Sequence, residues 1–126
     1  MNISTINTKN APTAIGPYSQ AKVYNGVIYV SGQLPIDPAT GNLELGNAAK
    51  QTQLVMENLA AIIEAAGSSL DKVLKATILL TDMDYFAQVN EVYASFFKES
   101  PPARICYQVS ALPKGASVEI DAICAL

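Results

Sequence analysis

Residues 46–81, GNAAKQTQLVMENLAAIIEAAGSSLDKVLKATILLT, contain the change of hydrophobic period that decides the fold class. Over residues 46–66 the apolar or small positions Ala48, Thr52, Val55, Leu59, Ile62, Ile63 and Ala66 recur at steps of three and four. That spacing is one buried face of a helix, and Gly67 supplies its C-terminal stop. Residues 73–81, VLKATILLT, are instead short, β-branched and almost continuously apolar, which predicts a strand covered on both faces.

Working outward from this helix and strand, the preceding stretch GQLPIDPATGNLELG is crowded with Gly, Pro, Asn and Asp and reads as a surface loop. Before it, residues 21–24 and 27–31 are β-rich runs separated by Asn25-Gly26, the strongest local signal for a hairpin. After the strand, Asp82 or Asp84 can cap a second helix carrying Phe86, Val89, Tyr93, Phe96 and Phe97 at helical spacing. Pro101-Pro102 is expected to end that helix, since neither ring can donate a backbone hydrogen bond. Two strands follow, residues 103–110 and 116–125, joined by the turn LPKG. The order β(β)β-α-β-α-β-β, with two helices long enough to lie across one face of a sheet, predicts an α+β two-layer fold. No internal repeat, low-complexity tract or like-charge block interrupts it, so residues 1–126 read as a single unit.

Composition limits the chemistry. At 126 residues and 50% hydrophobic content the chain suffices for one compact core. Zero histidines removes the Ser-His and Cys-His nucleophile pairs, the histidine general base and His-ligated metal sites. Eight basic against eleven acidic side chains give a net charge of -3, which argues against a global grip on nucleic acid or an anionic membrane. The polar opening MNISTINTKNA has no apolar run of a secretory leader, and the two cysteines, Cys106 and Cys124, form no disulfide framework or metal site. A reducing cytoplasm is therefore the expected compartment. No apolar stretch approaches the roughly 18 residues of a membrane span.

Seven of the eight basic residues are lysines, so the single arginine, Arg104, stands out. Alternation along residues 103–110 puts Arg104, Cys106, Gln108 and Ser110 on one face, and Ile105, Tyr107 and Val109 on the other, which is expected to be the core face. On the last strand Val118, Ile120, Ala122 and Cys124 form the apolar set, with Glu119 and Asp121 opposite. If the two strands pair as a hairpin through LPKG, Arg104 and Glu119 share a sheet face.

Arg104 can then grip a small carboxylate through its planar fork, or it can simply form a cross-strand pair with Glu119 or Asp121. Glu119 can orient or activate a water, or be an exposed strand carboxylate. Cys106 can be a thiol activated by the neighbouring cation, though a small residue filling space in a strand is the simpler reading, as for Cys124. Tyr18, after the turn-forming Gly16-Pro17, can hold its ring at a pocket mouth or be structural. Ser31-Gly32 ends a strand where glycine allows close backbone approach. Asn90 is either a buried amide awaiting a ligand or part of the helix surface.

Taken together, IGPYSQA, YVSGQLPIDPATG, FAQVNEVYASFF, PPARICYQVSALPKG and VEIDAI resemble, in order and over almost the whole chain, the reactive intermediate (imine) deaminase family. These are the YjgF-like or RidA proteins, also called the endoribonuclease L-PSP family. The resemblance implies a chorismate-mutase-like (bacillus-type) fold, a mixed sheet with two helices on one face, assembled as a homotrimer with sites between subunits. It implies hydrolysis of 2-imino acids such as 2-iminobutanoate and 2-iminopropanoate, formed from enamines like 2-aminoacrylate, to 2-keto acids and ammonia. No cofactor and no metal is implied. Carried over by motif, the carboxylate-binding arginine falls on Arg104, the neighbouring and largely backbone contact on Cys106, and the water-positioning glutamate on Glu119. The pocket tyrosine falls on Tyr18, the serine of the SGQ motif on Ser31 and the helix asparagine on Asn90. Two other readings compete: a ribonuclease that inhibits translation, and a non-enzymatic metabolite-binding or regulatory trimer. One arginine and a pI near 4.7 offer little phosphate affinity to the first.

Overall fold

The computed structural model describes residues 2–126. Six strands form one sheet in the order β1-β2-β3-β6-β4-β5. They are β1 (Ser4–Ile6), β2 (Ala21–Tyr24), β3 (Val27–Gln33), β4 (Val73–Leu80), β5 (Ala103–Gln108) and β6 (Val118–Ala125), with helices α1 (Ala48–Ala65) and α2 (Phe86–Ala94). The fold is thus α+β with a mixed sheet. Every pairing is antiparallel except β4 with β5.

The hairpin between β2 and β3 turns at Asn25 and Gly26, both with positive φ (53° and 78°), as the Asn-Gly turn chemistry requires. Helix α1 starts where the Asn47 side chain accepts a hydrogen bond from the Lys50 backbone N–H, satisfying one of the free donors of its first turn. It stops at Gly67, whose φ of 91° is costly for any other residue. Its buried Val55, Leu59, Ile62 and Ile63 meet Ile28, Ile78, Leu80, Val118 and Ile120 from the sheet in one apolar cluster. Each such fully buried aliphatic side chain contributes about 1.5–3 kcal/mol, so this contact holds the two layers together.

Several expectations need correction. A short first strand, β1, pairs with β2 at the sheet edge; its three residues are too few and too polar to show alternation. Helix α2 ends at Ala94, not at Pro101-Pro102. Ser95, Phe96 and Phe97 bond back three residues, so the chain has already tightened out of the α-helix, and the prolines instead precede β5. Strand β4 is covered on one face only: Val73, Ala76, Ile78 and Leu80 are buried beneath the helices, while Leu74 and Lys75 are exposed.

The last two strands form no hairpin. Strand β5 runs parallel to β4 at the edge, and β6 is inserted between β3 and β4. The face assignment of β5 is also inverted. Arg104, Cys106 and Gln108 pair with Ala76, Ile78 and Leu80, so they point to the helix side. Ile105 and Tyr107 lie on the open side, 45% and 51% exposed. The apolar face of β5 therefore does not belong to the core of this chain.

Candidate functional site

The open side of the sheet carries the first group of candidate residues. In β6, Glu119 pairs with Leu79 and sits on the face away from the helices, since its neighbours Val118 and Ile120 are buried beneath them. The ladder between β3 and β6 shifts register between Val30 and Gln33, and this irregularity contains Ser31 and Gly32. The Glu119 carboxyl lies so close to Gly32 that a β-carbon there would collide with it. Glycine at this position is thus explained by a side chain's approach, which is the close approach its place at the strand end suggested.

Ser31 is tied into the loop before β2. Its hydroxyl donates to the Ser19 carbonyl at 2.6 Å and its N–H to the Gln20 carbonyl at 2.9 Å. Gln20, buried, in turn accepts from the Thr8 N–H and donates to the carbonyls of Thr8 and Pro12, pinning the N-terminal segment over the sheet. The Tyr18 N–H bonds the Gly16 carbonyl, and Gly16 has a φ of 118°, so the turn that presents the exposed Tyr18 ring needs glycine. Tyr18, Ser31 and Glu119 line one cavity of about 460 Å³ together with Ile15, Gln33 and Lys114. Burial, and then the neighbouring Asp121, push the Glu119 carboxyl above its ordinary value. A carboxyl raised in this way holds a proton more readily than an ordinary one, which suits it to proton transfer.

The second group lies on the other face. Arg104 Nη1 donates to Asn90 Oδ1 at 2.6 Å, so the helix asparagine meets the guanidinium directly. Both line a cavity of about 450 Å³ with Tyr93, Phe97, Pro101 and Pro102. Cys106, half-buried, lies on the same face as Arg104. Burial pushes its thiol up, offset in part by the Arg104 charge, so at neutral pH it is a thiol and not an activated thiolate. Cys124 is buried, and its sulfur is within 3.7 Å of the Ser68 hydroxyl, consistent with a space-filling role.

Six candidate residues thus separate into two sets: Tyr18, Ser31 and Glu119 on the open side, Asn90, Arg104 and Cys106 on the helix side. With β4 between their strands and their side chains on opposite faces, Arg104 and Glu119 do not meet within one chain. This removes the cross-strand pair with Glu119 or Asp121 as the explanation of Arg104. Two features escaped sequence reasoning. Lys114, at the rim of the Glu119 cavity, adopts a left-handed φ of 61°, which nothing but the following Gly115 hints at. Phe86 and Tyr93, read as core residues by their spacing, also face the guanidinium of Arg104.

Comparison with known proteins adds a separate line. The family model described as Endoribonuclease L-PSP matches residues 8–126. A Bos taurus protein named 2-iminobutanoate/2-iminopropanoate deaminase is 51% identical over 94% of this chain and 86% of its own. A Yersinia pestis protein of the conserved Rid family, described as of unknown function, superposes with a TM-score of 0.97 at 50% identity, covering 99% of this chain and all of its own. E. coli TdcF, crystallised with bound serine, superposes with a TM-score of 0.93 at 40% identity over 98% of both chains. Among the described residues no helix is long and apolar enough to cross a membrane.

Proposed function

Because this chain belongs to the endoribonuclease L-PSP family, the family of the YjgF-like and Rid proteins, we propose that residues 1–126 form an imine-deaminase domain. It hydrolyses small 2-imino acids, 2-iminobutanoate and 2-iminopropanoate, to 2-keto acids and ammonia. The observation that carries this reading is the Glu119 carboxyl, seated on Gly32 and raised by burial, in a cavity shared with Tyr18 and Ser31. The deaminase name of the Bos taurus relative supports the reaction, and serine in E. coli TdcF supports a ligand with an amino-acid carboxylate.

The chemistry suits these residues. A protonated imine is already electrophilic at C2, so an oriented water is a sufficient nucleophile. Arg104 holds the substrate carboxylate, with the Cys106 backbone beside it and Asn90 fixing the guanidinium. Glu119 takes a proton from water as its oxygen bonds to C2, and passes it to the nitrogen of the resulting carbinolamine. As the Glu119 carboxylate takes the hydroxyl proton, the C–N bond breaks, releasing ammonia and leaving the keto acid. Tyr18 closes the pocket, and Ser31 lines its wall.

This arrangement needs two chains. We place the cytoplasmic protein in a homotrimer of the chorismate-mutase-like type, in which edge strand β5 of one copy brings Arg104 to the Tyr18, Ser31 and Glu119 cavity of the next. The open sheet face supports such an assembly. Tyr29, Ile105 and Tyr107 are all about half-exposed there, an apolar surface that another copy would cover. The ribonuclease reading is less well supported, since the one arginine is held by Asn90 and the chain is acidic.

The test is a coupled assay in which a dehydratase generates 2-aminoacrylate or 2-iminobutanoate and keto acid appearance is followed. Faster appearance than the spontaneous rate, saturating with substrate, is the expected result. A rate equal to the spontaneous one would refute the enzyme and leave a metabolite-binding trimer.

A further inference from the structure

The geometry points to Phe86 and Tyr93 as positioning residues that, with Asn90, form a cradle on helix α2 and fix the guanidinium of Arg104 for carboxylate binding. This rests on the role of Arg104 proposed above. Arg104 is exposed and stands on an edge strand, where a long side chain would ordinarily sample many rotamers. Here it is held at three points. Its Cζ lies 5.2 Å from the Tyr93 ring centroid and 5.6 Å from that of Phe86, and Nη1 is bonded to Asn90. Both ring distances are within the range in which a cation is attracted to an aromatic face.

The three contacts come from one side of α2. Phe86, Asn90 and Tyr93 are spaced by four and then three residues, so they line one stripe of the helix. The rings are themselves anchored: Tyr93 is only 3% exposed, and its ring centroid lies 4.9 Å from that of Phe97. Core packing alone would account for an apolar ring at position 93. It does not account for the guanidinium lying over that ring. Burial raises the Tyr93 hydroxyl above its ordinary value and the Arg104 charge opposes that shift, so the two groups share one electrostatic environment.

The cradle also explains why the one arginine of a lysine-using chain stands here. A guanidinium stacks on rings with its plane while its N–H groups bond at the edges, which an ammonium cannot do. With Nη1 committed to Asn90, the other N–H donors keep a fixed direction for the two oxygens of a carboxylate.

Because Arg104 is the only arginine, its Nε–Hε group gives one unambiguous arginine signal in a ¹⁵N-labelled sample of the whole protein. We would record this signal, and KM and kcat for 2-iminobutanoate generated in situ, in the parent and in Tyr93→Phe, Tyr93→Leu and Phe86→Leu. In the parent the Hε resonance should be displaced by the ring currents. Tyr93→Phe keeps the ring and should keep both the signal and the kinetics. Tyr93→Leu should move the signal toward that of free arginine and raise KM about two- to fivefold, the loss of one cation–π contact, with kcat little changed. If Tyr93→Leu does not fold, Phe86→Leu, at a half-buried position, is expected to show the same shift and carries the test. Folded leucine variants with an unmoved signal and unmoved KM would overturn the cradle, as would a Tyr93→Phe variant as impaired as Tyr93→Leu. Should the parent hydrolyse no imine, the proposed function fails while the Nε–Hε signal still decides the cradle.

Discussion

A carboxylate offers two oxygens in one plane, and the guanidinium of Arg104 can meet both while a lysine ammonium at the same place presents a point charge. Arg104→Lys should therefore lose at least one charge-assisted hydrogen bond to substrate, roughly 1.5–3 kcal/mol, or about tenfold or more in kcat/KM. A folded Arg104→Lys protein with parental kinetics would take Arg104 out of the mechanism. Glu119 invites a different measurement, because its cost to the fold and its proposed use in catalysis have opposite signs. Burial and Asp121 hold its carboxyl above the ordinary value of 4.5, so ionising it costs the folded state more than the unfolded one. Its stability contribution is full below 4.5 and is lost as pH rises through the raised folded value. Glu119→Gln keeps the shape and cannot ionise. At neutral pH it should melt at a higher temperature than the parent, with the gap closing near about pH 4, while turnover is lost. A variant that melts lower at neutral pH, or that turns over normally, contradicts this assignment. Cys106→Ser should cost little, since the thiol is protonated at neutral pH and the proposed contact uses its backbone.

At the scale of elements, the register shift in β3 is what brings Gly32 under the Glu119 carboxyl. Gly32→Ala places a methyl where a carboxyl oxygen now lies. The displaced group is the free end of a flexible side chain, so the melting temperature should change little while kcat/KM falls about tenfold as Glu119 leaves its place. Retained activity in Gly32→Ala would show that the carboxyl's position is not critical. The contrast between what sequence reveals and what it hides is clearest in these strands. The Asn25-Gly26 hairpin, the α1 stripe and its Gly67 stop are local features, governed by turn geometry and helical period, and they were legible. Alternation in β5 correctly sorted Arg104 and Cys106 from Ile105 and Tyr107, but period 2 says only which side chains share a face, not which face the helices cover. Ile105 and Tyr107 look like core because they are apolar, yet in a single chain they are exposed. The parallel placement of β5 beside β4 is likewise non-local: it depends on α2 carrying the chain back across the sheet, which no spacing in residues 103–125 records. Tyr18, Ser31 and Glu119 could be gathered from motifs alone; that Arg104 lies on the opposite face could not.

The whole molecule must reconcile that separation with the proposed reaction, in which a carboxylate at Arg104 and a water at Glu119 would lie a few ångströms apart. One chain cannot do so without breaking the sheet, because β4 and the two sheet faces intervene. The proposed closed ring of copies can, since a heterologous contact repeated around a threefold axis would join the β5 edge of each chain to the cavity of the next. Sedimentation should report a mass near three times the 13.4 kDa chain. The sharper consequence concerns mixed assemblies. Arg104→Lys and Glu119→Gln proteins are each expected to be nearly inactive alone. Unfolded together in equal amounts and refolded, they form trimers in which some sites receive Arg104 from a Glu119→Gln chain and Glu119 from an Arg104→Lys chain. With random assembly such sites make up about a quarter of the total, and about that fraction of parental activity should return. If both groups acted within one chain, no combination of these two proteins would rebuild a complete site, and the mixture would stay as inactive as its parts.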